Sequence, residues 1–237
     1  MLRGLASRFV YSEDAPESVD ALIAEQKTFY DLRAPDFGNA NHRDRIGWTS
    51  LDPQVLRNVV DEFGPHGDVL ELACGTGWLT RELARHADAV TAVDASEAML
   101  DRAKEIDSDG VRFVHADIFE WTPDRAYDVV WFSNWLSHVP PTRFDAFWSF
   151  VASCLKPHGR VGFIDEDERA TDNDEMITVG EVPVARRWLR DGSTHRVIKV
   201  FWRPEQLAAR LEALGWTAQI RRLGESNLYG EAHRLDA

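Results

Sequence analysis

Cysteine is scarce in this sequence: Cys74 and Cys154 are the two in 237 residues, far apart and in different predicted elements. Two such residues build no disulfide framework and fit a reducing cytosol, so a cytoplasmic protein is expected. No apolar run approaches the roughly 20 residues that a membrane span requires, so no membrane partner is expected. The N-terminal run Met1–Val10 is short, is interrupted by Arg3 and Arg8, and lacks the features of a secretory leader. Positive charge is also short: 27 Lys and Arg face 40 Asp and Glu, a formal net charge of −13. A uniformly acidic surface repels phosphate backbones, which argues against nucleic acid as a partner. Internal repeats and low-complexity tracts are absent as well.

What is present is the composition of a single globular domain, with 44% hydrophobic residues. Ser18 sits where an N-cap belongs for a helix with Leu22, Ile23, Phe29 and Tyr30 on its apolar stripe. A second helix follows Pro53 and closes at Gly64-Pro65. From there strands and helices alternate. Strands are predicted over 68–73, 89–94, 111–115, 127–132 and 159–164, with helices over 78–86 and from the Ser96 cap to Glu105. A capping box at Thr142-Arg-Phe-Asp145 opens a helix carrying Phe147, Trp148 and Val151. This alternation predicts an α/β fold with a doubly wound, mostly parallel sheet and helices on both faces. Residues 1–50 read as an N-terminal helical cap and 51–237 as the main domain.

After Ile164 the pattern changes. The acidic run Asp165–Glu168 reads as a solvated loop that leads into a polar excursion. A strand over 195–202, a helix opened by Pro204 and a final strand over 217–223 follow, with a tail containing Leu228-Tyr229-Gly230. Ligands in open α/β sheets sit beyond the carboxyl ends of strands, so the excursion over 165–194 is placed to cover a site.

The segment Val69-Leu-Glu-Leu-Ala-Cys-Gly-Thr-Gly77 joins a buried strand to a helix through a small-residue loop, the position of a nucleotide-binding turn. A dinucleotide fingerprint wants a third glycine where this chain has Trp78. The Glu71 carboxylate would also repel a diphosphate, whereas it suits a ligand with a cationic amine, such as the methionine part of S-adenosylmethionine (AdoMet). Asp94 ends the second strand about 20 residues further on, where a carboxylate takes ribose hydroxyls. Asp117 ends the third, within reach of an adenine amino group, with Ile118 able to pack on the ring. Acids ending three successive strands around one glycine loop make a coherent cofactor site.

These residues resemble the class I AdoMet-dependent methyltransferases. Glu71-Leu-Ala-Cys-Gly-Thr-Gly77 looks like their first motif, Val93-Asp-Ala-Ser-Glu-Ala-Met-Leu100 like their second-strand region, and Ala116-Asp117-Ile118 like their adenine motif. Ala73 stands where many members carry glycine. Trp135-Leu-Ser-His-Val-Pro140 is similar to the segment after the fourth strand in bacterial enzymes that act on small molecules. The resemblance implies seven strands, the last inserted antiparallel. It also implies AdoMet as cofactor and a small-molecule methyl acceptor as partner. The cofactor residues it implies are Tyr30, Glu71, Ala73, Gly75, Gly77, Asp94, Ala95, Met99, Asp117, Ile118 and Ser133.

Methyl transfer from a sulfonium needs orientation, exclusion of water and, for a protonated acceptor, a base. His138 is the expected base, placed beyond the fourth strand, and O-methylation the expected reaction. N- or S-methylation of a metabolite is the alternative, followed by an RNA or protein methyltransferase or a silent AdoMet-binding module. His86 and His158 read as helix-end residues. Most of Trp131, Phe132, Trp135, Trp148, Trp188 and Trp202 read as core, and Trp48 as a residue near the cofactor. The acidic residues after Ile164 offer oxygen ligands but are expected to hold no metal. Arg186, Arg187 and Arg190 either grip an acidic acceptor or neutralise the acidic run.

Overall fold

The computed structural model describes residues 10–11, 18–37, 51–105 and 109–235, and Trp48 lies outside them. Strand β1 (Val10–Tyr11) precedes helix α1 (Val19–Arg33), whose first turn is capped by Ser18 accepting from the Ala21 amide at 3.2 Å. Helix α2 (Pro53–Phe63) starts at a proline in its first turn, and ends at Gly64 in the left-handed region. Then come β2 (Asp68–Leu72), α3 (Trp78–Ala84), β3 (Ala89–Asp94), α4 (Glu97–Ala103), β4 (Val111–His115) and β5 (Tyr127–Ser133). Helix α5 (Phe144–Cys154) runs into β6 (Leu155–Glu166). Strands β7 (Glu175–Val179), β8 (Val182–Trp188) and β9 (Thr194–Ile198) follow, then α6 (Pro204–Glu212), β10 (Trp216–Leu223) and β11 (Asn227–Arg234).

Seven strands form one sheet in the order β10-β11-β6-β5-β2-β3-β4. The five from β6 to β4 run parallel, and β11 is antiparallel to both its neighbours. Order reverses between β2 and β5, the switch point at which open α/β sheets bind ligands. Each central strand is buried on both faces, so neighbouring residues feed different cores. Leu70, Val130 and Phe132 pack with Phe147, Trp148 and Val151 of α5 and with Leu207 and Leu211 of α6. Val69, Val129 and Trp131 pack on the other face with Leu56, Val60 and Phe63 of α2 and Leu83 of α3. Gly230 lets β11 insert: a Cβ there would stand 2.1 Å from the ring of Phe163, which is stacked on Phe132.

Several sequence expectations are corrected. The tail around Tyr229 is the seventh strand, held by complete antiparallel pairing with β6 and β10. Thr142 caps nothing: Pro140 and Pro141 shift the start of α5 to Phe144 through a 3₁₀ turn, and Asp145 pairs with Arg210. His158 lies within β6, at positive φ, not at a helix end. Residues 195–202 do not form one strand, because β9 stops at Ile198.

The excursion is not a polar loop. Its strands β7, β8 and β9 are antiparallel and make a second sheet, to which β1 adds in parallel. Leu22 and Ile23 of α1 share an apolar cluster with Ile177, Val184, Ile198 and Val200. The chain before α2 and the chain after β6 therefore build one cap with its own core. Nor is the acidic run solvated. Asp165 and Asp167 are buried; Asp167 accepts from Arg169 and Arg222, and Asp165 from the Ser137 amide at 3.1 Å. Among the described residues no helix is long and apolar enough to cross a membrane.

Candidate active site

Between the cap and the carboxyl ends of the sheet lies a cavity. Of the residues singled out from sequence, its wall carries Tyr30, Glu71, Ala73, Gly75, Asp94, Ala95, Met99, Asp117, Ile118, Ser133 and His138. Gly77 is not on it. That glycine is the N-cap of α3 at φ 76°, and a Cβ there would stand 2.9 Å from Ala103 on α4. Its requirement is helix packing rather than ligand approach. Ala73 adopts φ 54°, the left-handed region that glycine favours, without being glycine.

Three acids on this wall have distinct surroundings. Glu71 is buried at the end of β2, where the Thr80 hydroxyl donates to it at 2.5 Å. Burial, with a smaller push from Asp94, raises its pKa to about 8 against the hydrogen bond from Thr80. Asp94 accepts from the amides of Gly75 and Ser96, both at 2.8 Å, so it staples the glycine loop to the start of α4. Burial raises its pKa too. Asp117 accepts from the Phe119 amide at 3.0 Å and from Lys27 of α1 at 2.9 Å.

The donor set fits AdoMet. A buried carboxyl whose one side-chain partner is a hydroxyl suits an ammonium. Asp94 keeps acceptor lone pairs for ribose hydroxyls, and Asp117 with Ile118 offers an acceptor and an apolar face for adenine. Two free cysteines are buried, and Cys74 lies on the same wall with its thiol pushed well up by burial.

At the other end of the cavity stands a group that sequence reasoning only partly found. His138 closes the 3₁₀ turn after β5, and its Nδ1 lies 2.7 Å from the Ile198 carbonyl. A carbonyl only accepts, so Nδ1 carries the proton and Nε2 offers its lone pair. The Tyr30 hydroxyl of α1, 2.8 Å away, donates to that lone pair. Burial first, then Lys199 and Arg187, hold the imidazole well below its ordinary pKa. Tyr30 is raised by burial, while Lys199, Arg187 and Arg33 pull the other way.

Lys199 is 2% exposed; it pairs with Glu166 and donates to the Ser137 hydroxyl at 3.1 Å. Burial works against its charge, but Glu166 and Asp165 more than restore it. Burial likewise opposes the Glu166 charge, and Lys199 holds that carboxyl below its usual range. Arg187, from β8, pairs with Asp174 at 2.7 Å. Arg186 meets Glu175 and Arg190 meets Asp36, so these three arginines part ways and Arg187 alone of them lines the cavity. Lys199 carried a faint sequence signal, a lone cation among apolar residues. Glu166 carried none beyond the acidic run.

Of the aromatic residues, Trp131, Phe132 and Trp148 are core, Trp135 lines the cavity and Trp188 is exposed. His86 pairs with Asp61 at 2.8 Å, outside the cavity wall.

A family model described as "Methyltransferase domain" matches residues 69–159. The DhpI complex with SAM and HEP superimposes with a TM-score of 0.80 and 37% identity, covering 91% of this chain and 99% of that one. The ubiquinone biosynthesis O-methyltransferase of Xanthomonas axonopodis pv. citri is 32% identical over 174 residues, 70% of each protein. That of Coxiella burnetii (strain Dugway 5J108-111) is 35% identical over 119 residues, 48% of this chain and 50% of the relative. The chain spans between a third and half of the length of the first curated relatives that it matches.

Proposed function

The chain belongs to the class I AdoMet-dependent methyltransferases, and from that premise we propose that it O-methylates a small acidic molecule. The observation that carries this reading is a pair of buried cations, Lys199 and Arg187, on the cavity wall beside Tyr30 and His138. Lys199 is paired with Glu166 and Arg187 with Asp174, and the field of the two cations adds to burial in disfavouring an imidazolium at His138. An anionic acceptor is attracted to that field, and an acceptor that enters already deprotonated needs no strong base. The cavity between cap and sheet suits a small molecule, and the two ubiquinone biosynthesis enzymes compared above are O-methyltransferases.

In this mechanism AdoMet supplies an electrophilic methyl group when bound. Glu71 holds its ammonium, Asp94 its ribose and Asp117 its adenine. Lys199 and Arg187 hold the acceptor's anionic group, and Tyr30 aims its nucleophilic oxygen. His138 fixes the Tyr30 proton on the far side of the phenol, so the phenolic lone pairs remain to accept from a hydroxyl carried by the acceptor beside its anionic group. The cap excludes water, and the work of these residues is orientation.

A second reading keeps His138 as general base, acting through Tyr30. It is favoured by the continuous chain from the Tyr30 hydroxyl through the imidazole to the Ile198 carbonyl. An acceptor hydroxyl would then pass its proton to the phenol oxygen as the phenol's own proton moves to Nε2. The experiment is a methyl-transfer assay by mass spectrometry with HEP, phenyl phosphate and 4-hydroxybenzoate, set against phenol and 4-hydroxybenzamide. Turnover confined to the charged acceptors is expected. Faster turnover of the neutral pair would overturn the acidic-acceptor reading.

A further inference from the structure

Gln26 stands one helical turn before Tyr30 on α1, on the same face. It is 3% exposed, it lines the cavity, and its amide is spent on two backbone groups. The Ile198 amide donates to its Oε1 at 3.0 Å, which fixes the Nε2 end as the donor, and Nε2 reaches the His138 carbonyl at 3.5 Å. The same two residues are joined a second time by the imidazole itself, whose Nδ1 donates to the Ile198 carbonyl. Gln26, His138 and Ile198 thus close a ring of three hydrogen bonds, and Tyr30 hangs from it. Glu25 adds a tether beside it, accepting from the Arg196 amide at 2.7 Å.

We propose that Gln26 is a positioning residue: by bridging the His138 carbonyl and the Ile198 amide, it holds β9 where its Ile198 carbonyl selects the Nδ1–H tautomer of His138. The consequence reaches Tyr30. With the proton on Nδ1, Nε2 can only accept, and the Tyr30 hydroxyl must point its proton away from the acceptor. With the proton on Nε2, the phenol would accept from His138 and turn its own proton toward the acceptor oxygen. One buried amide on the cap helix therefore decides which face of the Tyr30 phenol meets the acceptor. This inference rests on the Tyr30–His138 reading above.

Geometry also explains why the residue is glutamine. The two backbone groups to be joined are an acceptor on one segment and a donor on another, and both are buried. A side-chain amide is a neutral group that donates from one atom and accepts at another, so it spans two backbone groups; a buried acid or lysine would satisfy one and leave a charge. The charged groups around the dyad are Glu166 of β6, Arg187 of β8, Arg33 of α1 and Lys199 of the segment after β9, while the Gln26 amide bonds to Ile198 and His138.

The test needs no acceptor. Protein labelled with ¹⁵N-histidine and saturated with S-adenosylhomocysteine is studied by long-range ¹H–¹⁵N correlation, which reports the tautomer of each imidazole. Wild type should show His138 as one neutral Nδ1–H tautomer at pH 7.5. Gln26→Met keeps the length and removes both bonds; its His138 nitrogens should move toward each other as the two tautomers mix, with the remaining histidines unmoved. Gln26→Ala, which leaves room for water, gives the same readout should the methionine variant fail to fold. A folded variant, with normal S-adenosylhomocysteine affinity, that keeps the pure Nδ1–H signature overturns the inference. A tautomer change in Gln26→Met, alongside full turnover by Tyr30→Phe in the acceptor assay, would leave Gln26 in place and remove the proposed role of Tyr30.

Discussion

The Tyr30 hydroxyl and His138 Nε2 stand 2.8 Å apart although 108 residues separate them in the chain. One belongs to the cap and the other to the rim of the main sheet, so this bond exists only where cap and sheet meet. Tyr30→Phe removes it while preserving the ring. Turnover of the acceptor should fall by at least about tenfold, the loss of a well-placed hydrogen bond. Calorimetry with S-adenosylhomocysteine should give nearly unchanged affinity. Undiminished turnover by a folded variant would rule out a part for the phenol in aiming the acceptor.

His138→Asn separates the two mechanisms. If the imidazole only fixes the phenol, turnover should fall by about tenfold, as for Tyr30→Phe, because both variants lose one hydrogen bond. If it is a base, the loss should reach about 10²- to 10⁴-fold and depend on pH. The first outcome is expected, since burial, Lys199 and Arg187 hold the imidazole neutral well below its usual pKa. A large, pH-dependent loss would select the base.

Glu71 makes cofactor binding sensitive to pH. Its carboxyl titrates near 8 in the folded protein, against about 4.3 in an unfolded chain. The neutral form therefore favours folding: this contribution is complete below about pH 4.3 and is lost as pH rises through 8. An ammonium favours the ionised form, so binding of S-adenosylhomocysteine releases a proton below pH 8. Between pH 6 and 8 its dissociation constant should fall by up to about tenfold per unit. Calorimetry in buffers of different ionisation enthalpy should count close to one proton released at pH 7, and Glu71→Gln should abolish the dependence. A wild-type affinity flat across that range would refute the assignment of Glu71 to the ammonium.

Asp94→Ala should affect two quantities together. Its carboxylate receives the Gly75 and Ser96 amides and is expected to receive the ribose hydroxyls as well. Charge-assisted bonds of this kind contribute roughly 1.5–3 kcal/mol each. Affinity for S-adenosylhomocysteine should drop by at least about tenfold, and the melting temperature of the empty protein should drop with it. Unchanged affinity would show that Asp94 serves the loop alone.

Lys199→Met leaves Glu166 and Asp165 without their buried cation, which should cost about 3 kcal/mol of stability in urea unfolding. The double variant Lys199→Met/Glu166→Gln should recover much of that stability. It should not recover the preference for charged acceptors, because that preference belongs to the cation. Full preference in the double variant would mean that Arg187 carries it alone.

The sequence by itself determined the main parallel sheet and the meeting of Glu71, Asp94 and Asp117 on one cavity wall, and the reason is locality. Glu71, Asp94 and Asp117 each end a strand whose hydrophobic run is visible, and a doubly wound sheet must bring such ends to one edge. The glycine loop follows from a short-range pattern of the same kind. Gly77 shows the limit even there, since its spacing is that of a ligand-binding glycine while its constraint is Ala103 on a neighbouring helix. The acceptor half was decided by tertiary structure. Tyr30, Glu166, Arg187 and Lys199 come from four separate segments, and three of the four lie in or beside a sheet that β1 joins from the far end of the chain. In sequence, Asp165–Glu168 is indistinguishable from a solvated acidic loop. It becomes a buried network because Lys199, Arg169 and Arg222 arrive to neutralise it, and burial of charge depends on partners that a one-dimensional pattern does not name.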